Sequence, residues 1–327
     1  MYRTQFIIAF FFLFLGILPV ALAQFLPSAL SLNITPSSPS PGETILIEAA
    51  TPTIDRDTVF FDWTIDGVSR KDLSGYGKNA VSLVAGNIGS VIRIGIRAQT
   101  RIGVIGNENA TIRVSDLSLV WFANTSVQRW YKGKALPVAH SIVYVVATPE
   151  IFIDGTLIPP ENLIYRWSFD DEIDALTGVG KRVFAIQTKD FPKSSHNVRV
   201  VVEDVSKKIR KEKQIFILTT NPVGSIYAVA PLGGIEHRHA VSFFSPPTRS
   251  IFDFQFESFF YPIASKRDLS YLWKIGGVLT EGSVQNPYFL TINTQTEQTG
   301  EVAVSISVDD LDPLIPPVTR TFTLDLK

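Results

Sequence analysis

The sequence predicts an all-β protein of three tandem β-sandwich units behind an N-terminal signal peptide. Three observations carry that class. An aromatic-x-Trp-x-apolar pattern followed by a turn-forming pair occurs as "FDWTIDG" at 61–67, "YRWSFDD" at 165–171 and "YLWKIGG" at 271–277. Its tryptophans, Trp63, Trp167 and Trp273, lie a little over a hundred residues apart, and a short pattern at fixed spacing marks tandem units. No convincing helical period runs over ten or more residues, while short alternating stretches are split by Gly, Pro, Asn and Asp, as in sandwiches.

The elements follow in chain order. Residues 1–23 hold one basic residue, Arg3, a continuous apolar run and the small-x-small ending Ala21-Leu22-Ala23. This is the build of a secretory signal peptide cleaved before Gln24. The same run is roughly long enough to span a bilayer, so an uncleaved segment is the one expected route to a membrane. The predicted units are 24–115, 116–221 and 222–327. Each opens with a strand: "LSLNI" at 30–34, "LSLVWF" at 117–122 and "GSIYAV" at 224–229. Second strands are "TILIEA" at 44–49, "SIVYVVA" at 141–147 and "IFDFQFE" at 251–257. In the last, Phe252, Phe254 and Phe256 share one face, and Asp253, Gln255 and Glu257 are expected to face water. About thirty residues after each tryptophan come "SVIRIGIRA" from Ser90, "NVRVVVED" from Asn197 and "EVAVSISVDD" from Glu301. Final strands are "ATIRV" at 110–114, "QIFIL" at 214–218 and "RTFTLDL" at 320–326. "GYGK" at 75–78 and "GVGK" at 178–181 match in position, and the third unit lacks them.

These motifs resemble the PKD-type and related immunoglobulin-like repeats of bacterial secreted and cell-surface proteins. There the pattern is Trp, one residue, Phe, then Gly-Asp-Gly. "WSFDDE" from Trp167 comes nearest, "WTIDG" from Trp63 keeps the Asp-Gly, and "WKIGG" from Trp273 keeps glycine. The late strands "VVVEDVS" and "ISVDDLD" end in Asp as the family's do. The resemblance implies an Ig-like (PKD-like) β-sandwich in each unit and a role as spacer, adhesive or protein-binding module.

Composition narrows the function classes. Formal net charge is −1 with acids and bases spread along the chain, unlike the basic stripe of a nucleic-acid binder. The absence of cysteine excludes disulfides, thiolate zinc sites and cysteine nucleophiles. Apolar cores must hold the units alone, and 23 phenylalanines supply strand-forming bulk.

Asp170, Asp171, Glu172 and Asp174 form an acidic cluster that could offer calcium several oxygens; apart from calcium, no cofactor is expected. Asp309, Asp310 and Asp312 form a second cluster. Neither has the D-x-D-x-D-G spacing of an EF-hand, and a solvated turn is the competing reading. In "WFANTSVQRWYKGK" (121–134), Trp121, Trp130 and Tyr131 either stack on sugar rings or pack the junction between the first two units. His237 and His239 in "EHRH" begin a metal pair with no third ligand in view, or sit in an exposed turn. "SKKIRKEK" (206–213) reads as a solvated hairpin tip or a contact for an acidic surface. Asn33, Asn109 and Asn124 begin glycosylation triplets. No G-x-S-x-G or H-E-x-x-H motif occurs.

The expected function is therefore non-catalytic. A secreted or cell-surface protein would act as a spacer, adhesive or assembly module on a protein partner or surface polymer, with a Phe-rich face of the third unit favouring protein. A carbohydrate-binding protein is the competing class, for which Trp121, Trp130 and Tyr131 would form a flat exposed platform. A secreted hydrolase would show a cleft with convergent acids, Asp170 and Asp171.

Overall fold

A computed structural model of the chain describes residues 30–153, 156–170, 172–189, 193–207, 209–247, 250–264, 268–294 and 299–326. The predicted signal peptide, residues 1–23, and Asp171 lie outside them.

In the first repeat the strands are β1 (Ser31–Thr35), β2 (Thr44–Ala50), β3 (Phe60–Ile65), β4 (Val68–Ser69), β5 (Gly75–Tyr76), β6 (Ala80–Val84), β7 (Val91–Thr100) and β8 (Gly103–Arg113). The second contributes β9 (Asp116–Ala123), β10 (Ile142–Glu150), β11 (Phe152–Ile153), β12 (Thr156–Leu157), β13 (Ile164–Phe169), β14 (Glu172–Val179), β15 (Val183–Gln187), β16 (Ser195–Glu203) and β17 (Arg210–Leu218). The third adds β18 (Val223–Ala230), β19 (Gly234–Ile235), β20 (Phe243–Phe244), β21 (Ile251–Phe259), β22 (Ser270–Ile275), β23 (Val278–Thr280), β24 (Phe289–Asn293), β25 (Gly300–Asp309) and β26 (Val318–Leu326).

The sheet orders repeat as closely as the sequence does. They are β1-β2-β6 with β4-β3-β7-β8, then β15-β10-β9 with β14-β13-β16-β17, then β19-β18-β21-β24 with β20-β26-β25-β22-β23. Each repeat thus sends its first two long strands and its third-from-last strand to one sheet, and the tryptophan strand with the last two to another. That is the partition of an immunoglobulin-like sandwich. The chain is all-β, as the alternating patterns predict.

Contacts divide the described chain into two compact units, 30–33 with 48–81 and 94–110, and 34–47 with 82–93 and 111–326. In the first, β3 pairs antiparallel with β7, setting Trp63 opposite Ile96 and Phe61 opposite Ala98, all four buried. In the second lie two cores. One joins Val143, Val145 and Phe184 from β10 and β15 to Tyr165, Trp167, Val198 and Val200 from β13 and β16. The other joins Phe254, Phe256 and Leu290 to Trp273, Val304, Ile306 and Phe322. Strand alternation puts every second residue inward, so in the second and third repeats both sheets feed one apolar layer.

The turn pair after each tryptophan closes a two-residue hairpin. Ile65 pairs with Val68 and Ile275 with Val278, leaving Asp66-Gly67 at φ 51° and 81° and Gly276-Gly277 at 57° and 83°. Such primed turns need positive φ at both central positions, which Asp-Gly and Gly-Gly tolerate. In the second repeat Phe169 pairs with Glu172, and Asp170 takes the first position at φ 48°.

Candidate functional site

The acidic stretch sits at that hairpin. Asp170 Oδ2 meets Lys189 Nζ at 2.9 Å and His196 Nδ1 at 3.0 Å, and Oδ1 accepts the Asn197 N–H at 2.8 Å. Burial alone would raise its pKa, but the bonds from Lys189, His196 and the Asn197 N–H outweigh that and hold the carboxyl below its ordinary value. A calcium ion here would compete with the Lys189 ammonium and the His196 ring for the same carboxylate oxygen. Glu172 and Asp174 are exposed, and Asp174 has φ 55°. Among the described residues no three His, Asp or Glu side chains gather as they would around a metal; Asp171 lies outside the described residues. In the third repeat Asp312 is tied to His140 at 2.6 Å and accepts the Leu314 N–H at 3.0 Å.

The Asp170 network contains a residue that the sequence did not flag. His196 is 1% exposed. With Nδ1–H donated to Asp170, its Nε2 accepts from the Lys189 N–H at 3.3 Å and lies 3.1 Å from Ser194 Oγ. The order Ser-His-Asp is that of a nucleophile, base and orienting carboxylate. Ser194 Oγ, however, also lies 3.1 Å from Thr219 Oγ1, and both ring nitrogens are committed within the chain. The network cross-links the β13–β14 turn to the start of β16.

The long connection between β9 and β10 builds a second cluster. Residues 124–126 run alongside 260–263: Ser126 N–H bonds Tyr261 O at 2.7 Å, Phe260 N–H bonds Ser126 O at 2.6 Å, and Ile263 N–H bonds Asn124 O at 3.3 Å. Beyond this ribbon Trp130 donates its indole N–H to Glu257 Oε2 at 2.9 Å. His237 Nε2 lies 3.0 Å from Glu257 Oε1. The Trp130 ring lies 4.6 Å from the His237 ring and meets Tyr227 and Phe259 edge-on. Burial pushes the Tyr227 phenol above its ordinary pKa. Alternation along β21 assigned Glu257 to water, yet it is 3% exposed. The covering segment comes from another repeat, which alternation cannot register.

This cluster also places the sequence-predicted aromatics. Tyr131 packs on Phe259 and Phe260. Trp121 packs against the core of the second repeat, with Lys134 Nζ 3.1 Å from its ring centroid. Sequence position set the three at the junction of the first and second repeats, whereas Trp130 and Tyr131 make these contacts with the third. All three rings already have partners within the chain. His239 is exposed in its turn while His237 is half-buried. The "SKKIRKEK" stretch does span the β16–β17 turn. There Asp204 caps the Ser206 and Ile209 N–H groups and also accepts the Ser206 hydroxyl. Lys211 leaves the solvated run: it is buried and donates to Ser40 Oγ at 3.0 Å.

Of the described phenylalanines of the third repeat, only Phe243, at 55%, is exposed. Phe254, Phe256, Phe259, Phe260 and Phe322 are buried in the core of the third repeat, with Trp130 and Tyr131 packed on Phe259 and Tyr131 on Phe260. The exposed apolar face lies on the second repeat instead. On the outer side of β9, β10 and β15, Tyr144 pairs with Phe122 and Ala185, and Val146 with Val120 and Val183. Ile142 extends the patch. Val120, Phe122, Ile142 and Val183 are 60%, 51%, 40% and 43% exposed, and the Phe122 and Tyr144 rings stack at 5.1 Å.

No protein-family model matches the sequence, and no curated protein matches it. Among solved structures, the chain is similar to the three N-terminal domains of the bacteriophage RB49 highly immunogenic outer capsid protein, at 11% identity and TM-score 0.25. That match covers 91% of this chain and 97% of the other. Drosophila OTK extracellular domains 3–5 match at 12% identity and TM-score 0.23, over 88% of this chain and 93% of the other. The insect immune protein hemolin matches at 11% identity and TM-score 0.26, over 91% and 76%. At these scores no role passes from those proteins to this chain. Among the described residues no helix is long and apolar enough to cross a membrane.

Proposed function

We propose that the chain is a non-catalytic, extracytoplasmic array of immunoglobulin-like modules that acts as an adhesive or assembly element through protein–protein contacts. The supporting observation is the outer face of the β9–β10–β15 sheet. A sheet with one face on a core ordinarily turns polar residues to water on the other. Here Val120, Phe122, Ile142, Tyr144, Val146, Val183 and Ala185 form one outward surface across three strands. Contiguous apolar patches of this kind mark interaction sites. Secretion is read from residues 1–23.

The test is sedimentation velocity on residues 24–327 across a concentration series, beside Phe122→Ser/Tyr144→Ser. The wild type is expected to self-associate, and the variant to stay monomeric with an unchanged melting temperature. A wild type that remains monomeric, or a variant that associates equally, removes this face from the function. Calcium at the 170–174 turn is a separate proposal. A melting shift with calcium, reversed by chelator and abolished in Asp170→Asn, is what it requires.

A further inference from the structure

Beside the covered face of β21 lies a cavity of about 380 Å³, lined by Gln128, Gln255, Phe256, Ser258, Leu269, Tyr271, Pro287 and Tyr288. Its size falls within the roughly 300–1,000 Å³ typical of small-molecule sites. Gln128 is the one lining residue from the 124–131 connection, and its amide donates to Ser258 O at 3.2 Å. The remainder comes from the third repeat. Tyr271 and Tyr288 stand with ring centroids 6.1 Å apart and planes at 62°, so they present two differently directed aromatic surfaces. Tyr288 Oη donates to Asn286 Oδ1 at 3.2 Å, and the Tyr271 hydroxyl bonds Ser258.

The lining divides into two chemistries. Phe256, Leu269 and Pro287 make an apolar part; two amides, a serine and two phenols make a polar part. Among the described residues none of the lining carries a charge, which disfavours a carboxylate, phosphate or ammonium ligand. A neutral ligand with an apolar face and several hydroxyls matches both halves. We propose that this cavity binds a neutral sugar residue, with Tyr288 against its C–H face and Gln128, Gln255 and Ser258 on its hydroxyls. The site is distinct from Trp121, Trp130 and Tyr131, and it does not depend on the apolar face of the second repeat.

Affinity electrophoresis of residues 24–327 through native gels containing laminarin, xylan, galactomannan or amylopectin tests the proposal. At least one neutral glycan is expected to retard the wild type. Gln255→Ala and Tyr288→Ala should each weaken that binding about tenfold or more, the effect of losing one hydrogen-bonded or stacked group, without moving the melting temperature. Should Tyr288→Ala unfold, Gln255→Glu puts a charge into the same cavity and should weaken binding in a folded chain. The proposal is overturned if no neutral glycan retards the wild type. Retardation that survives both substitutions also overturns it, as does preferential binding of heparin or of a proline-rich peptide at this site.

Discussion

Trp167 donates its indole N–H to the backbone carbonyl of Lys181 at 2.7 Å, and this one bond explains two motifs fourteen residues apart. A buried Trp N–H needs an acceptor. The "GVGK" stretch makes one by turning at Gly180, φ 68°, which aims the Lys181 carbonyl into the core. Trp63 does the same with Lys78 at 2.8 Å, after Gly77 at φ 69°. In the third repeat Trp273 bonds Pro287 O at 3.0 Å, so a different loop performs the task there and the glycine motif is missing.

Gly180→Ala should therefore cost the second repeat about 1–3 kcal/mol, through positive-φ strain added to crowding. A Cβ at this position would sit 3.2 Å from Glu161 O. Urea unfolding of residues 24–327 followed by fluorescence measures the loss. Gly42→Ala, also at positive φ but with nothing near its added Cβ, isolates the strain alone and should cost less.

Asp170 gives the chain an acid-sensitive point. Its folded pKa lies below the ordinary value, so its stabilising effect is fully present above the unfolded pKa, near 3.9. That effect is lost as pH falls through the lower folded pKa. Asp170→Asn should be less stable than wild type at neutral pH, and the two should converge in strong acid. Denaturation midpoints between pH 7 and pH 2 check this; parallel curves at every pH would contradict it.

Glu257 is a buried carboxylate held by Trp130 and His237. Trp130→Phe keeps an aromatic ring but removes the indole donor, which should cost about 1–3 kcal/mol because a buried acceptor loses a partner. His237→Phe should cost a similar amount. The double variant should depart from the sum of the two, since both groups serve one carboxylate. A double-mutant cycle in urea measures the coupling, and strict additivity would show that the two contacts are independent.

Period-two alternation and turn chemistry made the repeats legible from sequence. Phe61 and Trp63, Tyr165 and Trp167, and Trp273 all point into cores as alternation requires, and the pairs after them close the hairpins expected of Asp-Gly and Gly-Gly. The local acidic cluster was visible too, but not its partners. His196 reaches Asp170 from 26 residues away, and nothing in "SSHNVRV" marks that histidine as buried. Glu257 was assigned to water because alternation describes a strand and its own sheet. The indole that covers it lies 127 residues earlier. The phenylalanines of the same strand follow alternation, since Phe254 and Phe256 enter the core on its other face.

Gly224 offers a stringent test of the third repeat's core and of its link to the cavity. Its φ is not in the left-handed region, so conformational freedom is not why glycine stands there. The constraint is space: a Cβ would fall 2.0 Å from Phe256 Cζ and 2.5 Å from Cε2. The tip of the Phe256 ring thus occupies the space beside Gly224 on the first strand of its own sheet, while the Gly224 carbonyl accepts from Arg320 Nε–H at 2.7 Å. Gly224→Ala must displace a ring that belongs both to the core of the third repeat and to the cavity lining. Overpacking of this kind costs about 1–3 kcal/mol. Phe256→Leu in the same chain should recover part of the loss by vacating the space, although Phe256→Leu alone should destabilise. Urea midpoints of the four chains decide it. Rescue in the double variant identifies the ring as the obstacle, whereas simple addition of two losses would place the constraint elsewhere.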